Sequence, residues 1–258
     1  MTIKLYASES GFLYGDQVVT TYPSGCMRHI AWVANNRDLR PDIKPEFMKV
    51  GAVMERENAR RLDTLGLDYQ LEIPLTYKTA SGIEVRGRCD VMLPGSIQET
   101  KGTFSKSGIY SVFRKGEYKV TYLAQLVRYM VVAEVDKGEM IHGAFSYSPR
   151  DVFTGTEFSL VETKTFPVAI HSDGSVSVQG NVSAGFSVQA ALDHIEHAAQ
   201  ASLDKRVWPE RPLGHANKFG SPCFYCELKP VCDKFDSGKL SQADSFNAVR
   251  PFLGAKDE

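Results

Sequence analysis

Two acidic residues and a lysine lie close together near the middle of the chain. Asp90 is followed nine positions later by Glu99, and Lys101 comes after a single spacer, Thr100. Alternate side chains of a strand share one face, so Glu99 and Lys101 point the same way while Thr100 offers its carbonyl. If Asp90 ends a neighbouring strand, these oxygens suit Mg²⁺ or Mn²⁺. Lys101 would then orient or deprotonate a water that cuts a phosphodiester bond.

Two helical segments supply further polar groups. Gln125 and Tyr129 are four residues apart and share a helix face, from which Gln125 could anchor a lysine or a DNA phosphate. Glu55 follows Gly51 by four residues and could add a third metal carboxylate. Each motif also has a plain structural interpretation. Glu99 and Lys101 could form an exposed ion pair, Tyr129 could be a buried ring with Gln125 as its polar neighbour, and Glu55 could be a surface residue.

The cysteines indicate a second metal centre. Five cysteines in a chain without an export signal favour metal ligands over disulfides. Cys223, Cys226 and Cys232 need a fourth ligand, for which Cys26 is the candidate because Cys89 stands beside Asp90. Four thiolates suit a [4Fe-4S] cluster or a structural zinc ion, and the one-plus-three spacing favours the cluster. Cys89 is expected to pack as a small buried residue.

Residues 101–128 combine positive charge with aromatic rings. Six basic residues stand against one acidic residue, Glu117, and five rings are interleaved with them. This composition predicts a path for a single DNA strand, although an amphipathic helix with core aromatics would look similar. The basic residues are Lys101, Lys106, Arg114, Lys115, Lys119 and Arg128, and the rings are Phe104, Tyr110, Phe113, Tyr118 and Tyr122.

Periodicity and turn signals predict the elements that position these residues. Helices are predicted over residues 26–35, 45–65, 118–134 and 186–203, and strands over 69–77, 83–93, 96–101, 140–148, 156–163 and 166–180. The segment after residue 205 is too short for its own apolar core and is expected to need a metal. The tail from Ser237 is expected to be loose.

The composition excludes several classes of protein. The 258 residues include 30 basic and 31 acidic side chains, giving a formal charge of −1, and 43% are apolar. These are globular proportions, with too little Gly (21) and Pro (12) for disorder or collagen. No apolar stretch is long enough to span a membrane, so a cytoplasmic protein is expected.

In this order the motifs resemble those of the PD-(D/E)xK nuclease superfamily, specifically its RecB-like exonuclease branch. The resemblance spans residues 26–232 and implies roles for Glu55, Asp90 and Glu99 as metal ligands together with the Thr100 carbonyl. It implies that Lys101 positions the nucleophile and that Gln125 and Tyr129 orient Lys101 or the scissile strand. Many cysteine-containing relatives carry His at the position of Glu55, so the number of metal ions stays open.

The four cysteines resemble those of iron–sulfur nucleases: the CRISPR-adaptation four-cysteine exonucleases, AddB and phage-encoded relatives. The resemblance implies an α/β fold, with a restriction-endonuclease-like core of a central mixed sheet flanked by helices and a small cysteine-rich module joining the chain ends. It implies four parts, namely an N-terminal segment (1–44), the nuclease core (45–205), the iron–sulfur module (206–236) and a tail (237–258). The implied activity is a metal-dependent DNA exonuclease acting on single strands or DNA ends.

Two other functions stay open at this point. A DNA-binding or assembly subunit could keep the nuclease fold to serve a recombinase, a helicase or an integrase, and a homo-oligomer is compatible with either role. The workable spacing of Asp90, Glu99, Lys101 and Gln125 weakens that alternative. A zinc-stabilised protein unrelated to nucleases would make the acidic motifs coincidental.

Overall fold

A computed structural model describes residues 4–6, 12–14, 17–19, 26–35, 45–147, 158–203, 223 and 226–253. Its helices are α1 (Met27–Ala34), α2 (Pro45–Thr64), α3 (Lys106–Ile109), α4 (Val120–Val132), α5 (Val188–Leu203), α6 (Lys229–Asp236) and α7 (Gln242–Ala248), with a π-helix at Tyr110–Arg114 and a 3-10 helix at Arg250–Leu253. Its strands are β1 (Lys4–Tyr6), β2 (Phe12–Tyr14), β3 (Gln17–Val19), β4 (Gln70–Lys78), β5 (Glu84–Leu93), β6 (Ser96–Thr103), β7 (Lys137–Tyr147), β8 (Phe158–Ile170), β9 (Ser175–Val178) and β10 (Asn181–Ser187).

The chain divides into two compact units. The first unit comprises Met1–Asp42, Thr76–Gly87 and Gly185–Glu258, and the second comprises Ile43–Leu75 and Arg88–Ala184. Strands β4, β5 and β10 each contribute residues to both. The domain boundaries implied by the resemblance stay a prediction.

The second unit contains a mixed sheet flanked by helices, which confirms the predicted fold class. Its strands follow the order β5, β6, β7, β8, β9 and β10, with β4 beside β5. Strands β6 and β7 are parallel, whereas β5 with β6, β7 with β8, and β8 with β9 are antiparallel. A parallel pair needs a crossover connection, which α3, the π-helix and α4 supply.

Helices α2 and α4 cover opposite faces of strands β6 and β7. A Cβ added at Gly102 would meet Val50 of α2, whereas one at Gly138 would meet Leu126 and Met130 of α4. Gly138 is the register partner of Ile97, so residues 97, 99 and 101 point towards α4. Residues 98, 100 and 102 point towards α2, where an apolar core comprises Val50, Met54, Ile141 and Phe145.

The first unit joins segments from both ends of the sequence. Strand β1 pairs in parallel with Glu84–Arg86, and helix α1 packs against α5. Arg28 of α1 forms a 2.6 Å ion pair with Asp236 of α6. An apolar core also joins α1 to the C-terminal segment and comprises Ala31, Trp32, Val33, Leu228, Val231, Cys232 and Val249.

The structure departs from the sequence-based expectations near the C-terminus. The cysteine segment, expected to be too short for a core of its own, shares an apolar core with α1, because residues far apart in sequence pack together. Its expected need for a metal stays a prediction. Helix α7 occupies part of the expected loose tail, where the Ser241 hydroxyl caps it by accepting a hydrogen bond from the Asp244 N–H, and Val249 is buried. Residues 206–222 of the cysteine module lie outside the described residues.

Smaller differences concern the predicted strands and loops. The expected strands over 156–163 and 166–180 are instead β8 and β9, separated by a turn at Gly174, whose φ is +78°. The region between β6 and α4, expected to be a loop, contains α3 and the π-helix. Residues 148 and 156–157 of the predicted strands lie outside the described part of the chain. No helix in the described ranges has the length and apolarity needed to cross a membrane.

Close contact between β6 and α2 predicts a strong effect of one added methyl group. Gly102→Ala should lower the free energy of unfolding by about 1–3 kcal/mol, because the new Cβ meets the stiff side chain of Val50 and the Phe145 ring. Gly51→Ala is the matched control: its Cβ meets nothing within 4 Å, and alanine should stabilise this helix by about 0.5–1 kcal/mol. Urea unfolding measures both, and equal stability of the two variants would contradict this packing.

Candidate active site

Glu99 and Lys101 form the charged centre of β6. Lys101 Nζ donates a hydrogen bond to Glu99 Oε1. Glu99 is 1% exposed, and its Oε2 has no hydrogen-bond partner among the described residues. Burial raises the pKa of Glu99 to about 7, although the charge of Lys101 pulls it down. A buried carboxylate with an unpaired oxygen is suited to hold a cation.

Asp90 meets the same strand from β5. It lies next to the antiparallel pair formed by Val91 and Gln98. Asp90 Oδ2 accepts hydrogen bonds from the N–H and the hydroxyl of Thr100, both at 2.7 Å. The expected meeting of Asp90 with the Glu-x-Lys strand is therefore present. The role of Thr100 as a carbonyl ligand stays a prediction, and its observed role is to fix the Asp90 side chain.

Glu55, on α2, lies within electrostatic reach of these carboxylates. Burial raises the pKa of Glu55, and the charges of Asp90 and Glu72 raise it further. A cation placed among carboxylates that raise one another's pKa would stabilise their charged forms. Among the described residues, Glu55, Asp90 and Glu99 do not all have oxygens within 4.8 Å of one another. The three acids are thus neighbours without being set at ligand spacing.

Gln125 and Tyr129 lie on α4 and bond to each other. Gln125 Nε2 donates a 3.1 Å hydrogen bond to the Tyr129 hydroxyl, and both side chains are buried. Burial raises the pKa of Tyr129 to about 12, and the charge of Glu99 adds to the effect. In the described structure, Gln125 makes no hydrogen bond to Lys101. The two residues therefore share a face, as predicted, while the orienting of Lys101 by Gln125 stays a prediction.

Tyr122 is the aromatic residue that contacts Lys101. The Lys101 ammonium lies 5.1 Å from the centre of the Tyr122 ring, and the Lys119 ammonium lies 5.3 Å from it. The sequence placed Tyr122 only among rings for DNA stacking. Its spacing of three from Gln125 on the α4 face was the signal available for a role in the site.

His142 packs against the ring of Tyr122. It is the register partner of Lys101 on β7, and its ring centre lies 5.9 Å from that of Tyr122 and 5.4 Å from that of Phe166. Burial lowers the pKa of His142 to about 4, and the charges of Lys101 and Lys119 lower it further. The histidine is therefore neutral at physiological pH. No local sequence signal marks it, because it comes from a different strand.

The basic and aromatic residues of the crossover are only partly exposed. Tyr110 is 58% exposed, and Lys115 lies over its ring at 5.6 Å. Phe104 is 36% exposed, whereas Phe113 is buried and Tyr118 packs against Phe166. The surface available to a ligand is therefore smaller than the sequence composition indicated.

The structure brings four cysteines together in the first unit. Cys26, Cys223 and Cys232 are buried, and Cys226 is half-buried. Burial raises the pKa of Cys26 to about 11, and the charges of Cys232 and Cys223 raise it further. Burial also raises the pKa of Cys226, with contributions from Cys26 and Cys232. Mutual effects on the pKa require nearby sulfur atoms, so the four residues form one group.

The spacing of these sulfur atoms bears on which metal they fit. A tetrahedral zinc ion with bonds of about 2.3 Å holds its sulfur ligands about 3.8 Å apart. Among the described residues, which include all four cysteines, no three of the sulfurs lie within 4.8 Å of one another. Which metal this group would hold stays a prediction. Cys89 is fully buried in the other unit, as expected for a packing residue.

Solved structures share this fold. The phage-related exonuclease from Haemophilus somnus 129PT has a TM-score of 0.51 and 14% identity, covering 78% of this chain and 93% of that chain. The crystal structure of SSO0001 has a TM-score of 0.50 and 11% identity, covering 88% and 87% of the two chains. No family model and no curated protein matches the sequence. The similarities show that this chain shares the α/β fold of these two structures.

If Glu55, Asp90 and Glu99 bind a divalent ion together, Mn²⁺ should stabilise the folded protein. A ligand that binds only the folded state, at a hundred times its Kd, adds about 2.7 kcal/mol of stability. Asp90→Asn should remove most of this gain, because it replaces a carboxylate of the group by a neutral amide. Thermal unfolding of each variant with and without Mn²⁺ measures the effect.

Glu57→Gln is the matched control for this measurement. Glu57 lies on the same helix as Glu55 and bonds to Arg60 at 2.9 Å, so its neutralisation should leave the Mn²⁺ effect unchanged. The same Mn²⁺ stabilisation in both variants would show that the ion does not bind at Asp90.

Proposed function

We propose that this chain is a metal-dependent DNA exonuclease that hydrolyses phosphodiester bonds. The observation that carries the proposal is the Glu99–Lys101 pair beside Asp90. A buried carboxylate with an unpaired oxygen, a second carboxylate fixed by Thr100 and a lysine on the same strand are the groups that this hydrolysis needs. The fold shared with a phage-related exonuclease supports the choice of chemistry.

The oxygen donors fit Mg²⁺ or Mn²⁺. Asp90 and Glu99 would hold the ion, with the Thr100 carbonyl and Glu55 completing its ligands. The unpaired Oε2 of Glu99 is the observation that favours this assignment. When bound, the ion supplies Lewis acidity and lowers the pKa of a coordinated water.

The remaining side chains orient the reacting groups. Lys101 is held between Glu99 and the ring of Tyr122, so its ammonium can donate to an attacking water or to a phosphate oxygen. Gln125 and Tyr129 are buried and hydrogen-bonded to each other, and Tyr129 lies within electrostatic reach of Lys101. In this proposal the two side chains orient Lys101 or the scissile strand.

The proposed substrate is single-stranded DNA or a DNA end. Tyr110 offers an exposed ring on which a base can stack, and Lys115 and Lys119 offer cations for the phosphate backbone. These residues belong to the segments that connect β6 to α4, which link the strand of Lys101 to the helix of Tyr122. Their position supports a strand path that ends at the carboxylates.

We also propose that Cys26, Cys223, Cys226 and Cys232 hold a [4Fe-4S] cluster. Their grouping and the wide spacing of their sulfurs support this assignment over a four-thiolate zinc ion. The cluster would have a structural role, because its ligands lie in the first unit and the carboxylates lie in the second. It would add a covalent link between α1 and α6 to the existing apolar core.

Catalysis by Lys101 predicts different effects for two lysines that share one ring. Lys101→Met should lower the cleavage rate about a hundredfold to ten-thousandfold, the usual contribution of a positioned proton donor or acceptor. Lys119→Met should lower it only a few-fold, since an exposed cation–π contact is worth about 0.5–1 kcal/mol. Cleavage of end-labelled single-stranded DNA with Mg²⁺ or Mn²⁺ measures both.

DNA binding by each protein is measured without divalent ions, so that a loss of binding is distinguished from a loss of cleavage. Equal loss of cleavage in the two variants would remove Lys101 from its proposed role. A wild-type protein that binds DNA tightly but cleaves none of it would favour the assembly-subunit alternative.

The cluster assignment predicts a coloured protein. Wild type purified without oxygen should be brown and contain iron and sulfide, and Cys226→Ala should be colourless because a ligand is lost. Cys89→Ala should stay brown, since Cys89 lies outside the group. Visible absorption with iron analysis makes the comparison, and a Cys226→Ala protein that keeps both colour and iron would disprove the ligand assignment.

A further inference from the structure

A second set of metal-binding side chains adjoins the cysteine group. Potential ligand atoms of His29, Cys226 and Glu227 all lie within 4.8 Å of one another. His29 belongs to α1, whereas Cys226 and Glu227 directly precede α6 and are almost 200 positions away in the sequence. His29 Nε2 and Glu227 Oε1 are 3.1 Å apart. The four-cysteine cluster accounts for Cys226 but not for the positions of His29 and Glu227 beside it.

The donor types match a single divalent ion of the zinc class. Imidazole nitrogen, thiolate sulfur and carboxylate oxygen are the three ligands that zinc takes from proteins. With bonds of about 2.0–2.1 Å, tetrahedral nitrogen and oxygen ligands are about 3.4 Å apart. The observed separation of 3.1 Å between His29 and Glu227 is close to that value.

The exposure of the three side chains suits uptake of an ion from solvent. Cys226 is half-buried, whereas the other three cysteines of the group are buried. The side chain of Glu227 is 44% exposed and that of His29 is 14% exposed. A fourth coordination position could therefore be filled by water, as in zinc sites with three protein ligands.

We infer that His29, Cys226 and Glu227 form a mononuclear site for a divalent metal ion of the zinc class. Binding replaces the His29–Glu227 hydrogen bond by two metal–ligand bonds, and the thiol proton of Cys226 is released to solvent. The site and the proposed cluster both need the Cys226 sulfur. Only one of them is therefore filled in a given molecule.

The frame of this site does not depend on a bound cluster. The Arg28–Asp236 ion pair and the apolar core around Trp32 and Leu228 connect α1 to the segment that contains Cys226. Cluster-free protein should therefore keep His29 near Glu227. This makes the site testable in the full chain without iron.

Cobalt is the probe for the site, because tetrahedral Co²⁺ gives visible bands and a thiolate–cobalt charge-transfer band. The full chain, reduced and freed of metal under anaerobic conditions, is titrated with Co²⁺. One equivalent should bind with the spectrum of a single thiolate ligand, and Zn²⁺ should displace it. His29→Gln and Glu227→Gln should each weaken Co²⁺ binding at least tenfold.

Two control variants decide between this site and the four-thiolate group. His197→Gln changes an exposed histidine of α5 whose hydrogen bond, among the described residues, is to the backbone carbonyl of Asp193, so Co²⁺ affinity should be unchanged. Cys232→Ser should also retain Co²⁺, since Cys232 is not part of the three-residue group. Loss of Co²⁺ in Cys232→Ser, or unchanged affinity in both His29→Gln and Glu227→Gln, would overturn the inference.

Folding and nuclease activity are followed separately. Circular dichroism confirms that each variant is folded, and if His29→Gln is unfolded, Glu227→Gln decides alone because it keeps the size of the side chain. Cleavage by the carboxylates of the second unit is assayed with Mg²⁺. Failure of the proposed nuclease function would leave the cobalt result unaffected.

Discussion

The buried charge of Glu99 is the constraint on which the candidate active site depends. A carboxylate that is 1% exposed loses the solvation that stabilises its ionised form, and burial accordingly raises its pKa. Lys101 provides the opposite charge on the same strand, and the carboxylates outweigh the effect of burial on the lysine, whose pKa is raised. Each group thus favours the charged form of the other. The elements around β6 therefore serve to keep this pair in place while leaving Oε2 of Glu99 unpaired.

Alternate side chains of β6 make different contacts on the two faces of the strand. Towards α4 it presents the charged pair, against Tyr122 and the neutral ring of His142. Towards α2 it presents Gln98, which accepts from Asn58 at 3.0 Å and donates to Glu139 at 2.8 Å. These hydrogen bonds connect α2, β6 and β7 through Gln98. They fix the register of β6, since a shift by one residue would exchange its two faces. The hydrogen bonds of Gln98 thus hold Glu99 on the side where it can act.

Sequence reasoning found the parts of the site that are local in the chain. The spacing of Glu99 and Lys101, the meeting with Asp90 and the shared face of Gln125 and Tyr129 follow from strand and helix periods alone. It did not find His142 or the contact of Tyr122 with Lys101, because these depend on which strand lies beside β6 and on how α4 crosses it. The prediction of a loose tail was wrong for the same reason, since Val249 is buried in an apolar core that includes residues of α1, and the sequence did not predict that Leu228 shares this core. The periodicity of a sequence predicts which face of a helix or strand is apolar, but it does not predict which element packs against that face.

Each candidate metal centre lies within one unit: the carboxylate site in the second, and the four-cysteine group and the His29–Cys226–Glu227 site in the first. The acids and Lys101 come from residues 55–101 of the second unit, whereas all four grouped cysteines, His29 and Glu227 belong to the first. A substitution among the cysteines removes no group from the carboxylate site, so under the proposed function it would act on hydrolysis through the stability of the fold. In the first unit, α1 and α6 are also joined by the Arg28–Asp236 pair, which is mostly buried on the arginine side, and by an apolar core. These contacts hold the cysteines near one another before any metal binds, so that metal binding need not pay the whole entropy of closing a loop of about two hundred residues. For the proposed centres of the first unit, ligand type and spacing should therefore influence the choice of metal more than the cost of folding does.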